Sequence, residues 1–257
     1  MRWKFVSVAF LLAAASPVQA ADLTVMTSGA FTAAMQQLAP AYEKETGNHL
    51  TIVLGPSMGV APTAIPVRLA RGEKADLVIL ARSGLDGLIA KGLVALPAPD
   101  LVQSRIAMAV KAGAPAPDIS TLATFKKTLL AAKSVAYSDS ASGVYIETEM
   151  YKKLGIEEQM AKKSRKIQAT PVGLNVARGD VEIGFQQMAE LKPITGIKIV
   201  GYLPEGAQKV TAFSAGVMKF SHYQAGANAL VAWLASPKRY AVIRATGLTP
   251  AAQVTDK

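Results

Sequence analysis

The chain has no cysteine and only two histidines, His49 and His222. The absence of cysteine excludes disulfides, thiol nucleophiles and cysteine-ligated metals. Two histidines far apart in the sequence supply too few ligands for a transition-metal centre, so we expect no metal and no cofactor. Aromatic residues make up 6% of the chain and are not interleaved with lysine or arginine, which argues against a nucleic-acid groove.

The first twenty residues have the composition of an export signal. Arg2 and Lys4 precede an apolar run at 5–15, and Pro17–Ala20 supplies a small-residue cleavage pattern. The apolar run is too short to span a membrane. We therefore predict that residues 1–20 are a signal peptide cleaved after Ala20, and that the mature protein is periplasmic.

Positive charge exceeds negative charge, with a formal net charge of +10 at pH 7 that falls to +8 without Arg2 and Lys4. The basic residues are scattered, and the single dense run, Lys162–Lys166, is interpreted as a solvated helix end and loop. In an exported protein, a positive field favours the attraction of small anions. We expect a small anionic ligand, no nucleic-acid partner and a monomer.

Apolar strands alternate with amphipathic helices through the mature chain, which predicts an α/β fold with mixed, mostly parallel sheets. Three serine-bearing turns follow predicted strands: Ser28-Gly29, Ser57-Met58-Gly59 and 138–143. In an open parallel sheet such turns gather outside the carboxyl ends of the strands. The free N–H groups of the helix starts there bind anions. The pattern predicts a small-ligand site, anionic rather than neutral.

Five segments then occur in an order and spacing that covers nearly the whole mature chain: TSGAFTAAMQQLAPAYEKETG, RLARGEKADLVILA, SGVYIETEMYKKLG, VARGDVEIGFQQMAEL and ALVAWLASPKRYAVIRATGLTP. Together they resemble the periplasmic solute-binding proteins of ABC transporters, specifically the molybdate-binding family and its relatives. The resemblance implies a two-lobed type II periplasmic-binding-protein fold with the ligand in the interlobe cleft. Residues 21–104 with 206–257 would form lobe 1, and residues 105–205 lobe 2.

The function implied by this resemblance is capture of a molybdate- or tungstate-like oxyanion and its delivery to a membrane permease. No catalytic residue is involved in that function, so the chain is expected not to be an enzyme. The ligand-binding residues expected by position are Ser28, Gly29, Ala30, Ser57, Met58, Ser142, Gly143, Thr170 and Gln187.

The sequence departs from the family pattern in ways that leave a second ligand class open. The family's first serine aligns with Ala30, its tyrosine aligns with Gln187, and an insertion, MGVAPTAIPV, follows Ser57. Three arginines are expected near the cleft: Arg68, Arg82 and Arg105. A guanidinium group binds a carboxylate through two parallel N–H donors. A small organic carboxylate is therefore an alternative ligand.

Two alternatives belong to other functional classes. Residues 55–59 match the G-x-S-x-G pattern of serine hydrolases, with Ser57 as the nucleophile. Pro62 and Pro66 interrupt the helix that should follow, and His222 is the only histidine after the serine, which argues against a hydrolase. The other alternative is an extracellular interaction protein that keeps the fold without taking part in transport.

Overall fold

The computed structural model describes residues 21–168 and 170–254, so the predicted signal peptide at 1–20 lies outside the described residues. Within them the strands are β1 (Asp22–Thr27), β2 (His49–Leu54), β3 (Leu77–Ala81), β4 (Asp100–Lys111), β5 (Val135–Ser138), β6 (Ser164–Ile167), β7 (Ile183–Gln187), β8 (Ile197–Tyr202), β9 (Val210–Val217) and β10 (Thr249–Pro250).

The helices lie between these strands and after the last long one. They are α1 (Gly29–Thr46), α2 (Ile65–Ala70), α3 (Arg82–Ala90), α4 (Leu122–Ala131), α5 (Ala141–Tyr145), α6 (Tyr151–Leu154), α7 (Glu157–Ala161), α8 (Val172–Arg178), α9 (Met188–Leu191), α10 (Gln224–Leu234) and α11 (Tyr240–Ala245). A π-helical turn at Ile146–Met150 joins α5 to α6, and 3₁₀ turns lie at Pro237–Arg239 and Ala251–Gln253. Within the described part of the chain, no helix is both long and apolar enough to cross a membrane.

The strands pair in the order β2-β1-β3-β9-β4-β7-β5-β6, and β8 and β10 each pair with β4. The outer pairs, β1 with β2 and β3, and β5 with β6 and β7, are parallel. Strands β4 and β9 run antiparallel to their neighbours in the middle. The mixed α/β architecture predicted from the sequence is confirmed.

Strand β4 is shared by the two halves of the molecule. Its first half, 100–105, pairs with β9 and β10, whereas its second half, 106–111, pairs with β7 and β8. The chain returns from β8 to β9 through residues 203–209. This topology agrees with the lobes proposed above (21–104 with 206–257, and 105–205), whose exact bounds stay a prediction.

Each half has its own apolar core. Around β1 and α1 the core includes Phe31, Met35, Leu38 and Tyr42, which recur at helical spacing on one face of α1. Strand β3 is buried along its whole length, as expected of a strand covered on both faces. The second core, between β4, β5, β7 and α4, is a separate cluster. Packing in these two cores fixes the positions of the strand ends that border the site.

The dense basic run does not have the conformation expected of it. The interpretation of Lys162–Lys166 as a helix end and loop is wrong from residue 164 onward, because Ser164–Ile167 forms β6 and pairs in parallel with β5. Arg165 and Lys166 are exposed on this strand. Charged side chains are common on edge strands, where they discourage pairing with other chains.

The second core provides a test of packing. Phe125 of α4 meets Phe185 of β7 edge to face, with ring centroids 6.0 Å apart, and both are fully buried. Phe125→Ala should lower the free energy of unfolding by about 3–5 kcal/mol, because it removes buried apolar surface and leaves a cavity. Urea unfolding measures the loss. Leu130→Ala on the same helix, at a side chain 40% exposed, is the control and should cost far less. Equal losses for the two variants would contradict this packing.

Candidate functional site

A cavity of about 390 Å³ opens among the segments that follow β1, β2, β5, β6 and β7. The first half of the chain supplies the start of α1 and the loop after β2. The second half supplies the ends of β5 and β6 and the starts of α8 and α9. Polar side chains in the wall are Thr32, Gln36, Thr63, Ser138, Asp139, Ser140, Thr170, Gln186 and Glu190. The cavity therefore lies between the two halves, at the carboxyl ends of the parallel strands.

The ionisable side chains of this wall are both acidic, Asp139 and Glu190, and neither lysine nor arginine contributes to it. Within residues 21–168 and 170–254, no group of three or more histidine, cysteine, aspartate or glutamate side chains is placed to hold a metal ion. An anion in this cavity would depend on hydroxyls, amides and helix starts for its hydrogen bonds.

Glu190 is the third residue of α9, directly after the end of β7. Gln186 Nε2 donates to Glu190 Oε1 over 2.9 Å, and the backbone N–H of Gln187 also donates to the carboxylate. The same Oε1 oxygen lies against Gly29, where a Cβ would collide with it. Glycine at 29 therefore allows a carboxyl group from one half to approach the first turn of α1 in the other.

Burial raises the pKa of Glu190 from its usual 4.5 to about 7. The hydrogen bonds from Gln186 and Gln187 act in the opposite direction, because they favour the ionised form. Desolvation is the larger effect. A carboxyl group with a pKa near neutrality can both take and return a proton under physiological conditions.

Asp139 forms a second contact between the halves. It follows β5, it is buried, and its Oδ2 accepts a hydrogen bond from Gln168 Nε2 at 3.2 Å. A Cβ on Gly59, which has a φ of +100°, would stand 2.7 Å from the Asp139 carbonyl oxygen. The loop after β2 thus reaches Asp139 across the cavity mouth at a position that requires glycine.

Two arginines stabilise this loop through hydrogen bonds to its backbone carbonyl groups. Arg68 Nε donates to the carbonyl of Thr63 over 3.2 Å, and an Arg71 guanidinium nitrogen donates to that of Pro62 over 2.8 Å. Both guanidinium groups pair with Glu73. This explains why the inserted segment has a defined conformation.

Two of the predicted ligand-binding residues line the cavity, Gly29 and Thr170. Ser28 caps α1 but lies beneath the wall, 2% exposed, and its hydroxyl has no hydrogen-bond partner among the described residues. Ser142 and Gly143 are buried behind Ser138, whose hydroxyl lies 3.3 Å from that of Ser142. The turns at 28–29 and 138–143 are brought together as expected, although different atoms face the cavity.

Ala30, Ser57, Met58 and Gln187 are not among the residues that line this cavity. Ala30 packs in the first core. Ser57 is fully buried, and its hydroxyl accepts the backbone N–H of Ala81 at 2.9 Å, so it ties the loop to the end of β3. Gln187 is buried and its Nε2 lies 3.4 Å from the Thr211 hydroxyl. Packing and internal hydrogen bonds account for the positions of Ala30, Ser57 and Gln187.

The serine-hydrolase alternative has no geometric support. The Ser57 hydroxyl is shielded from solvent and already engaged. His222 lies exposed in the turn before α10. A nucleophilic serine must instead be open to substrate and within hydrogen-bond reach of its base.

The three arginines expected to meet a carboxylate also lie outside the wall, and each has another partner. Arg68 pairs with Glu73 at 2.6 Å, and Arg82 pairs with Asp100 at 2.8 Å. The Arg105 guanidinium lies over the ring of Tyr202, 4.4 Å from its centroid.

Sequence reasoning missed Gln186 and Glu190. A signal was present, since two glutamines end a buried strand and a glutamate follows Gln187 by three residues. That spacing is typical of the acidic member of a capping box, which reaches back to the N-cap backbone. The pattern predicts a local bond at the start of α9. It contains no information about burial against Gly29, 161 residues earlier in the chain.

Comparison with known proteins places this geometry in context. A family model described as "Bacterial extracellular solute-binding protein" matches residues 23–249. A Pseudomonas sp. protein named aconitate isomerase is 48% identical over 245 residues, which cover 93% of this chain and 94% of that protein.

Solved structures share the fold at lower identity. The Azotobacter vinelandii periplasmic molybdate-binding protein is 21% identical with a TM-score of 0.71, over 91% of this chain and all of that one. A Mycobacterium tuberculosis sulfate-binding protein is 14% identical with a TM-score of 0.70, over 91% of this chain and 88% of that one. These likenesses confirm the type II periplasmic-binding-protein fold.

The expectation that the chain is not an enzyme is wrong. It depended on the molybdate-binding family, whose members hold their ligand without catalytic groups. The Pseudomonas relative, matched over nearly its whole length, is named as an enzyme.

The buried carboxyl group makes a prediction about stability. Between about pH 4.5 and 7 the folded protein retains a proton on Glu190 that the unfolded chain releases, so this group's stabilising contribution falls as pH rises through that window. Relative to Glu190→Gln, the wild type should lose up to about 3 kcal/mol across it. Urea unfolding at a series of pH values measures the difference. Glu158→Gln, at an exposed glutamate of α7, is the control. A constant difference between wild type and Glu190→Gln would contradict the burial of this carboxyl.

Proposed function

The chain belongs to the bacterial extracellular solute-binding protein family, and on that premise we propose that its cleft isomerises a small unsaturated polycarboxylate of the aconitate type by proton transfer through Glu190. The observation that carries the proposal is a carboxyl group at the cavity wall that lies against Gly29 and accepts a hydrogen bond from Gln186, with its pKa raised by burial. The activity named for the Pseudomonas relative supports the substrate class. The extracellular character of the family supports a periplasmic location, with residues 1–20 as the proposed signal peptide.

The chemistry requires one base. Aconitate is a propene that carries three carboxylates, with a methylene group beside the double bond. Removing a methylene proton gives an allylic carbanion that is delocalised into the carboxylates. Returning a proton to the far carbon of the allyl unit moves the double bond and interconverts the cis and trans isomers. The base takes one proton and gives one back, and the reaction needs no oxidant or added water.

Glu190 has the properties of such a base. General acid–base catalysis is most effective when the pKa of the group lies near the working pH, and burial provides this for Glu190. Its carboxylate lies against Gly29, the first residue of the 18-residue helix α1. The positive end of a helix dipole stabilises negative charge nearby, so negative charge that develops on the substrate beside Glu190 would be stabilised there.

The name of the Pseudomonas relative, which matches nearly the whole of this chain, supports a carboxylic ligand over molybdate. Thr32, Gln36, Ser140 and Thr170 provide neutral hydrogen-bonding groups for the carboxylates of such a ligand. The proposal therefore selects the organic carboxylate over the molybdate- or tungstate-like oxyanion.

A second candidate function is solute capture for an ABC permease. Family membership and the likeness to periplasmic binding proteins support it. It requires binding without turnover. The two functions are therefore separated by whether the bound ligand leaves chemically changed.

The test is turnover of purified mature protein with cis- and trans-aconitate, separated by chromatography. The wild type should interconvert them, and its kcat/KM should rise with pH through about 7, because the base must be ionised. Glu190→Gln should lower kcat by about 10²- to 10⁴-fold, and Glu158→Gln should leave it unchanged. Tight binding without turnover would favour solute capture, and a fully active Glu190→Gln would remove this residue from the mechanism.

A further inference from the structure

We infer that Gln186 is a positioning residue, which presents an N–H donor to the Glu190 carboxyl and so fixes the direction in which that carboxyl faces the cleft. The inference deepens the proposed function and rests on it. Gln186 lies at the end of β7, is 4% exposed and borders the same cavity. Its hydrogen bonds are all made with other residues of the chain, without a bound ligand.

The amide of Gln186 is held at both ends. Its Oε1 accepts the backbone N–H of Val172, the first residue of α8, at 2.9 Å. Its Nε2 donates to Glu190 Oε1, also at 2.9 Å. A backbone N–H can only donate, so the amide oxygen must face Val172. The NH₂ group must then face Glu190, because exchanging the two ends of the amide would lose the Val172 bond.

This arrangement determines how the carboxyl can act. Oε1 of Glu190 accepts from Gln186 whether or not the carboxyl carries a proton. The same oxygen lies against Gly29, at the start of α1. The carboxyl is therefore confined between a strand end of one half and a helix start of the other, which is the pre-organisation that proton transfer needs.

Among the described residues, no charged side chain takes the place of the Gln186 amide as a hydrogen-bond donor to Glu190. The nearest ionisable side chains on α1 are at 42–45, more than three turns beyond Gly29, and Asp139 is the other ionisable group of the cavity wall. On the other elements packed around α9, the charged side chains are Asp100, Arg105, Lys111 and Arg178, and Lys192 follows α9 at its own end. Asp100 contacts Ser214 and Arg82, and Arg105 contacts the Tyr202 ring. Arg178 pairs with Asp180, and Lys192 donates to the Ala245 carbonyl. Lys111 lies beside Gly179, at the far end of α8.

The test follows the ionisation of Glu190 directly, by ¹³C NMR of glutamate-labelled protein, with Glu190→Gln identifying the resonance. Gln186→Met keeps the shape of the side chain and removes the donor. The titration midpoint should move up by about one pH unit, because a hydrogen bond to the ionised form is lost. In turnover, kcat should fall about tenfold with little change in KM, and the pH profile should move up with the midpoint.

Two further variants separate positioning from folding. Gln186→Leu also removes the amide donor and adds no charge beside Glu190, so it should also raise the midpoint. Gln36→Met removes an amide that lines the same cavity and has no hydrogen bond to Glu190 among the described residues, so it should leave the midpoint unchanged. Circular dichroism shows that each variant is folded.

The outcomes distinguish this inference from the proposed function. An unchanged midpoint in Gln186→Met and Gln186→Leu would overturn the role of Gln186, whatever the activity of Glu190→Gln. A raised midpoint together with full activity in Glu190→Gln would instead overturn the proposed function. A shift of equal size in Gln36→Met would show a general change of the cavity and would also overturn the inference.

Discussion

A partly buried carboxyl group at the cavity wall, between the two halves of the chain, is the constraint on which the rest of the site depends. Glu190 belongs to the half built on β5, β6 and β7, and Gly29 belongs to the half built on β1 and β2. Their contact exists only when the halves are together. The proton affinity of Glu190 is therefore coupled to the arrangement of the two halves, because desolvation is the main cause of its raised pKa.

The contact between Glu190 and Gly29 follows from the fold and requires few particular residues. The shared strand β4 joins the halves, and the parallel strands on either side direct their carboxyl ends to one cavity. Glycine at 29 and 59 permits the close approach of Glu190 and Asp139 across it. A scaffold shared with proteins that bind inorganic anions can thus accommodate a base, since a helix start that stabilises an anion also stabilises charge that develops during a reaction.

Local pattern was enough to predict most of the fold. The periodicity of α1 and the apolar run of β3 indicate their elements. A helix buried on one face has apolar residues at helical spacing, and a strand buried on both faces is apolar throughout. The position of β6 was missed because a short charged strand acquires its structure from pairing with β5. Ser57 and Glu190 show the same limit at the site. The environment of each depends on a distant segment, Ala81 for the serine and Gly29 for the glutamate.

The central claim is that the cleft breaks a carbon–hydrogen bond rather than only holding an anion. The most direct measurement uses cis-aconitate with both methylene hydrogens replaced by deuterium, and follows the label in the trans product by NMR. Proton transfer predicts a single deuterium on that carbon, which becomes the vinylic carbon of the product. A product that keeps both deuterium atoms on its methylene carbon would show rotation about the double bond without proton removal, and would contradict the account.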